Sequence, residues 1–69
     1  MPDHVYRIEE FVGTSPEGQD EAIRNAVRYA AQTRETIRWF EVKETRGQVQ
    51  DGNVAHWQVT IRVGWTQRP

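Results

Sequence analysis

Cysteine is absent from the 69 residues, and so is any long apolar run. The first absence excludes disulfides and thiolate metal sites. The second argues against a membrane helix, which needs about 20 consecutive apolar residues. Histidine is scarce, and His4 and His56 are too few for a structural metal site. Excess charge of either sign is missing too. Nine Lys and Arg against ten Asp and Glu leave a formal net charge of −1. That balance argues against nucleic acid, whose affinity rests on phosphate neutralisation. There is no G-x-G-x-x-G, no G-x-S-x-G and no paired histidine motif. Repeats and low-complexity segments are absent as well. The opening Met-Pro-Asp-His-Val-Tyr lacks the basic and apolar parts of a signal peptide, so a cytoplasmic location is expected. A chain this short makes one domain, residues 1–69, and is marginally stable alone. With disulfides and a metal set aside, oligomerisation is the remaining means of stabilisation.

What is present reads as β-α-β-β. Residues 4–12 mix β-branched and aromatic residues with charges and suit a first strand ended by Gly13. Ser15 is placed to cap a helix that Pro16 opens. Glu17, Asp20 and Glu21 lie toward the positive end of its dipole, and Arg24, Arg28 and Arg34 toward the negative end. From Pro16 to Thr33, Ala22, Ile23, Ala26, Val27, Ala30 and Ala31 form one apolar stripe. Residues 37–46 are expected to form the second strand and 47–53 a connection, in which Asp51-Gly52 is a hairpin-turn signal. In the third strand Ala55, Trp57, Val59, Ile61, Val63 and Trp65 alternate with His56, Gln58, Thr60, Arg62 and Gly64.

The turn fixes a register. With Asp51 and Gly52 central, Gln50 pairs with Asn53, and odd residues of strand two share a face with even residues of strand three. Phe40 and Val42 then join Ile61 and Val63 in the core, with Trp57 and Trp65. Trp39, Glu41 and Lys43 fall with Gln58, Thr60 and Arg62 on the opposite face. A bulge at Gly47 would shift this pairing. A right-handed crossover makes strands one and two parallel, with strand three between them. The expected fold is therefore α+β, a three-stranded antiparallel-type mixed sheet of order 1-3-2 with one helix on one face. A single alanine-rich helix cannot cover hairpin strands of roughly 35 Å, so the far face is expected to meet other copies.

Val12-Gly13-Thr14-Ser15-Pro16, Trp39-Phe40-Glu41-Val42, Thr45-Arg46-Gly47, Trp57-Gln58-Val59-Thr60 and Val63-Gly64 together resemble the dodecin family, in order and over nearly the whole chain. Dodecins are small β-α-β-β flavoproteins that assemble into a hollow homododecamer. Their flavins sit in pairs at a two-fold axis, each stacked on a tryptophan, with a glutamine on the third strand bonding the pyrimidine edge. The resemblance implies that Trp39 stacks the flavin and Gln58 reads its edge. It places Arg46 near the ribityl phosphate, and Tyr6 and Glu44 near the ligand. It further implies a nucleotide-binding protein that stores FMN, riboflavin or FAD and quenches the excited state, with Trp39 as electron donor. Some family members also bind coenzyme A on the assembly.

Other readings of the same residues exist. Trp39 also suits an ordinary oligomer interface, where tryptophan is enriched. Gln58 and His56 suit a solvated strand face, Arg46 a surface charge, and the scattered carboxylates a role in solubility. No catalytic constellation emerges, and a ring stacked on both faces leaves little room for substrate, so the chain is not expected to be an enzyme. A small flavin-dependent reductase, or an interaction module using the open sheet face, are the alternatives.

Overall fold

The computed structural model describes residues 5–34 and 36–67. Strand β1 (Val5–Ser15) leads to helix α1 (Gln19–Thr33), then to β2 (Ile37–Gln50) and β3 (Asn53–Gln67). The sheet order is β1-β3-β2, with β3 antiparallel to both neighbours. This is the expected α+β arrangement. His4, expected to open the first strand, lies outside the described residues.

The core follows the alternation of β3. Val59, Ile61 and Val63 are fully buried, and Ala22, Ala26 and Ala30 of α1 pack onto them. Each of the three larger side chains contributes roughly 1.5–3 kcal/mol of burial free energy. Phe11, Ile37, Trp57 and Trp65 are partly buried around this centre, as are Ile23 and Val27. Ala31, expected in the apolar stripe, is exposed. Gly13 does not end β1. It lies inside the strand under α1, where an added Cβ would sit 2.0 Å from the Ala22 carbonyl oxygen.

The helix begins later than the Ser-Pro pair suggests. Ser15 remains in β1, opposite Trp57 and buried, and its hydroxyl accepts the Glu17 N–H at 3.0 Å. Gly18 is the N-cap, and its carbonyl accepts the first helical bond from Ala22. The strand ladder holds Ser15 so firmly that its hydroxyl stabilises the approach to the helix rather than the first turn. Asp20 and Glu21 stand in that first turn, but the last turn carries no basic residue. Arg34, expected to complement the dipole, turns instead to Glu9, which accepts from its Nε at 2.7 Å and from an Nη. Its guanidinium lies over Phe11 and Trp65, 5.8 and 5.1 Å from the ring centres. It thus fastens the end of α1 to the sheet.

The hairpin is longer than expected. β2 runs to Gln50, and only Asp51 and Gly52 turn, with φ of 53° and 78°. Positive φ at both residues defines the type I′ turn that Asp-Gly favours. Trp39 pairs with Gly64, Glu41 with Arg62 and Val42 with Ile61, as the turn register requires. Gly47 is not bulged and pairs with Trp57. Register shifts fall instead between Ile37 and Trp39, between Val42 and Glu44, and between Gln48 and Val49.

Phe40 and Val42 share a face with the core but are not in it, being 47% and 44% exposed. The helix packs over β1 and β3, so β2 is an edge strand that α1 scarcely covers. Among the described residues, no helix is long and apolar enough to cross a membrane.

Candidate functional site

The face turned away from α1 collects every sequence-derived site residue. β1 presents Tyr6, Ile8, Glu10, Val12 and Thr14 there, opposite Thr66, Gly64, Arg62, Thr60 and Gln58 of β3. Ile8 and Val12 are well exposed, so the face is partly apolar and lacks a second layer. β2 adds Trp39 and Glu41 at one end and Glu44, Arg46 and Gln48 at the other.

Strict alternation from Trp39 would send Glu44 and Arg46 to the helix face. The extra residue at Lys43 prevents this. A bulge sets two residues of one strand against one of its partner. Glu44 accordingly pairs with Thr60, and Arg46 with Gln58. Lys43 is not lost to the site face, because its Nζ reaches Glu10 Oε2 at 3.0 Å. Arg62 Nε donates to that same oxygen at 3.1 Å. One carboxylate thus ties all three strands together across the middle of the face. The hydrogen bond from Lys43, followed by that from Arg62, holds the Glu10 carboxyl below its ordinary value of 4.5. The carboxylates are therefore more than scattered solubility charges, as Glu9 and Glu10 show.

Trp39 stands at the first end of the face. Its indole lies across Gly64, and a Cβ on that glycine would fall 2.3 Å from both Cε2 and Cζ2. The indole therefore occupies space that any other residue at 64 would claim. Trp39 is 37% exposed, so it keeps a surface open to a ligand. Tyr6 belongs to the same end, opposite Thr66.

Gln58 and Arg46 form the second end, paired across β3 and β2, with Glu44 one step along. Arg46 has no carboxylate partner among the described residues. His56 is exposed and pairs with Gln48. The structure therefore puts Trp39 and Gln58 on one face but does not bring them together. Six residues of β3 separate Gln58 from Gly64, a distance of roughly 20 Å along an extended strand. No three-ring ligand spans that distance within one chain.

Arg38 escaped the sequence reading. The shift between Ile37 and Trp39 makes Arg38 the extra residue, and its Nε donates to Thr66 Oγ1 at 3.2 Å. Thr66 belongs to the site face, so Arg38 and Trp39 lie on that face side by side. Nothing in the sequence marks this bulge, because an arginine before a tryptophan is unremarkable in a strand.

Known proteins share the fold and much of the sequence. The dodecin family model matches residues 5–67. A curated dodecin of Thermus thermophilus is 44% identical over 61 residues, covering 88% of each chain. The solved dodecin of Streptomyces davaonensis is 53% identical with a TM-score of 0.92, covering 99% of this chain and 100% of its own. That of Streptomyces coelicolor is 52% identical with a TM-score of 0.93, covering 100% and 99%.

Proposed function

The chain belongs to the dodecin family, and on that premise we propose that it binds and stores flavin and quenches its excited state. One observation carries the reading. A half-open indole lies across a glycine on a sheet face that α1 leaves bare. Stacking a flat ring on such a surface contributes about 1–3 kcal/mol, by analogy with base–aromatic stacking. The rest of the face fits the same ligand. Gln58 offers a planar donor and acceptor for a pyrimidine edge. Arg46 beside it offers an uncommitted fork for a phosphate, which favours FMN over riboflavin. FMN, riboflavin and FAD all carry the ring that Trp39 would stack, and coenzyme A is a further ligand suggested by family membership alone.

The separation of Trp39 from Gln58 supports a shared site. One ring meets both residues only when a second copy brings its Gln58 and Arg46 to the Trp39 of the first. A closed homododecamer of the kind the family forms would supply such copies. Bound flavin would supply a photoreducible ring, and Trp39 would be the residue placed to donate the quenching electron. A ring held between Trp39 and a second ring offers no face to a hydride donor. The role is accordingly storage and protection rather than catalysis.

Titration of the purified protein into FMN or riboflavin tests this directly. Fluorescence is expected to be quenched stoichiometrically, and Trp39→Ala is expected to weaken binding at least tenfold. Unquenched flavin would sink the proposal. Steady NADH oxidation with bound flavin would replace storage by a reductase.

A further inference from the structure

The cations of the site face fall into two kinds. Lys43 and Arg62 in the middle share the Glu10 carboxylate, which neutralises much of their charge. Arg38 and Arg46 stand at opposite ends, and among the described residues neither has an acidic partner. Arg46 lies beside Gln58, whereas Arg38 immediately precedes Trp39 at the other end.

Arg38 is also held in place. The bulge puts it on the face of Trp39, and the Thr66 hydroxyl accepts its Nε hydrogen at 3.2 Å. Among the described residues neither Nη group has a further partner, and two parallel N–H donors match two oxygens of a phosphate. The Thr66 hydroxyl, having accepted from Arg38, still carries its own hydrogen to donate. Arg38 is exposed and Thr66 half-buried, and among the described residues no further acceptor claims the fork.

We infer that Arg38 and Thr66 form an anion subsite at the edge of Trp39, which takes the phosphate ester of a ring ligand stacked on that indole. The inference rests on the stacking reading of Trp39 and adds Arg38 to Arg46 as a source of selectivity for phosphorylated ligands. Riboflavin carries the ring without the phosphate, so it probes the platform alone. FMN probes the platform and the subsite together.

The experiment measures both affinities for the intact protein and for Arg38→Gln, Arg38→Lys, Thr66→Val and Arg46→Gln. The intact protein is expected to prefer FMN, with a preference that shrinks as salt rises. Arg38→Gln is expected to weaken FMN about tenfold and to change riboflavin less than twofold. Arg38→Lys, which keeps the charge and loses the fork, is expected to fall between. Thr66→Val is expected to weaken FMN severalfold by loosening the guanidinium. Unchanged FMN binding in Arg38→Gln would overturn the subsite, as would an equal loss of FMN and riboflavin. A drop in FMN binding confined to Arg46→Gln would also overturn it. Failure of the intact protein to bind either flavin would instead remove the stacking reading, and the subsite with it.

Discussion

At the scale of single residues, the face is tuned by one glycine and one carboxylate. Gly64 permits the indole of Trp39 to lie over β3, since a Cβ there would collide with three of its ring atoms. Gly64→Val is expected to displace the indole without unfolding the sheet, because Trp39 is already partly in solvent. Flavin affinity should fall tenfold or more, the equivalent of a lost stacking contact of about 1–3 kcal/mol. Acrylamide quenching of tryptophan emission should rise in the unliganded variant. Unaltered affinity and emission would show that the indole does not need the vacancy. Glu10 acts differently. Its bonds with Lys43 and Arg62 depress its folded pKa below 4.5. Its contribution is therefore complete above that value and is lost as the pH falls through the lower, folded pKa. Thermal midpoints of the native protein should drop across this acidic window, whereas Glu10→Gln should start lower and vary less. Coincident profiles would dismiss the bridge as energetically idle, the common outcome for exposed pairs.

At the scale of elements, some features were readable from the chain and others were not. The alternation of β3 and the Asp51-Gly52 turn predict the pairing of Trp39 with Gly64, which the structure has, although the pairs from Glu44 to Gln48 sit one residue out of that register between two compensating shifts. The bulges at Arg38 and Lys43 carried no signal of residue type. They decide which side Arg38, Glu44 and Arg46 occupy, so these neighbours of the site could not be derived from periodicity. The Ser15-Pro16 pair misled for a related reason. A capping residue is recognised by its side chain, but here the ladder with Trp57 claimed its backbone first. Alternation places Phe40 and Val42 on the helix face, where the structure has them, but it reports a face and not what covers it, and neither residue is in the core. The approach of α1 to β1 yields a sharper expectation. An Ala at position 13 would press its Cβ into the Ala22 carbonyl, which belongs to backbone and cannot swing aside. Gly13→Ala should cost about 1–3 kcal/mol, the usual penalty of overpacking. Chemical denaturation would measure it, and a loss under 0.5 kcal/mol would mean the helix shifts freely.

At the scale of the molecule, the chain is more extended than a compact domain of its length. Its radius of gyration is 14.3 Å, against about 11 Å for a compact domain of this length. Its extents are 57 × 19 × 13 Å. It exposes 5194 Å², while a compact monomer of this mass would expose about 4500 Å². The surplus is apolar in part, and it lies on both sides of the sheet. Ile8 and Val12 stand on the site face, and Phe40 and Val42 on the other, where Phe40 forms a groove with Ile23 and Val27 rimmed by Asp20, Arg24 and Arg28. A standard interface buries about 800 Å² per partner, roughly a sixth of this surface. Two unlike faces therefore invite more than one kind of contact, as a closed assembly with more than one kind of rotation axis uses. If further copies cover Phe40, replacing it by aspartate buries an unpaired charge at the contact and leaves the core beneath α1 untouched. Phe40→Asp should shift the native mass toward smaller species and make the melting temperature fall. The melting temperature of the unaltered protein should rise with concentration, because association stabilises only the folded chain. A native mass of a single chain, with a melting temperature independent of concentration, would refute the assembly and the shared flavin site that depends on it.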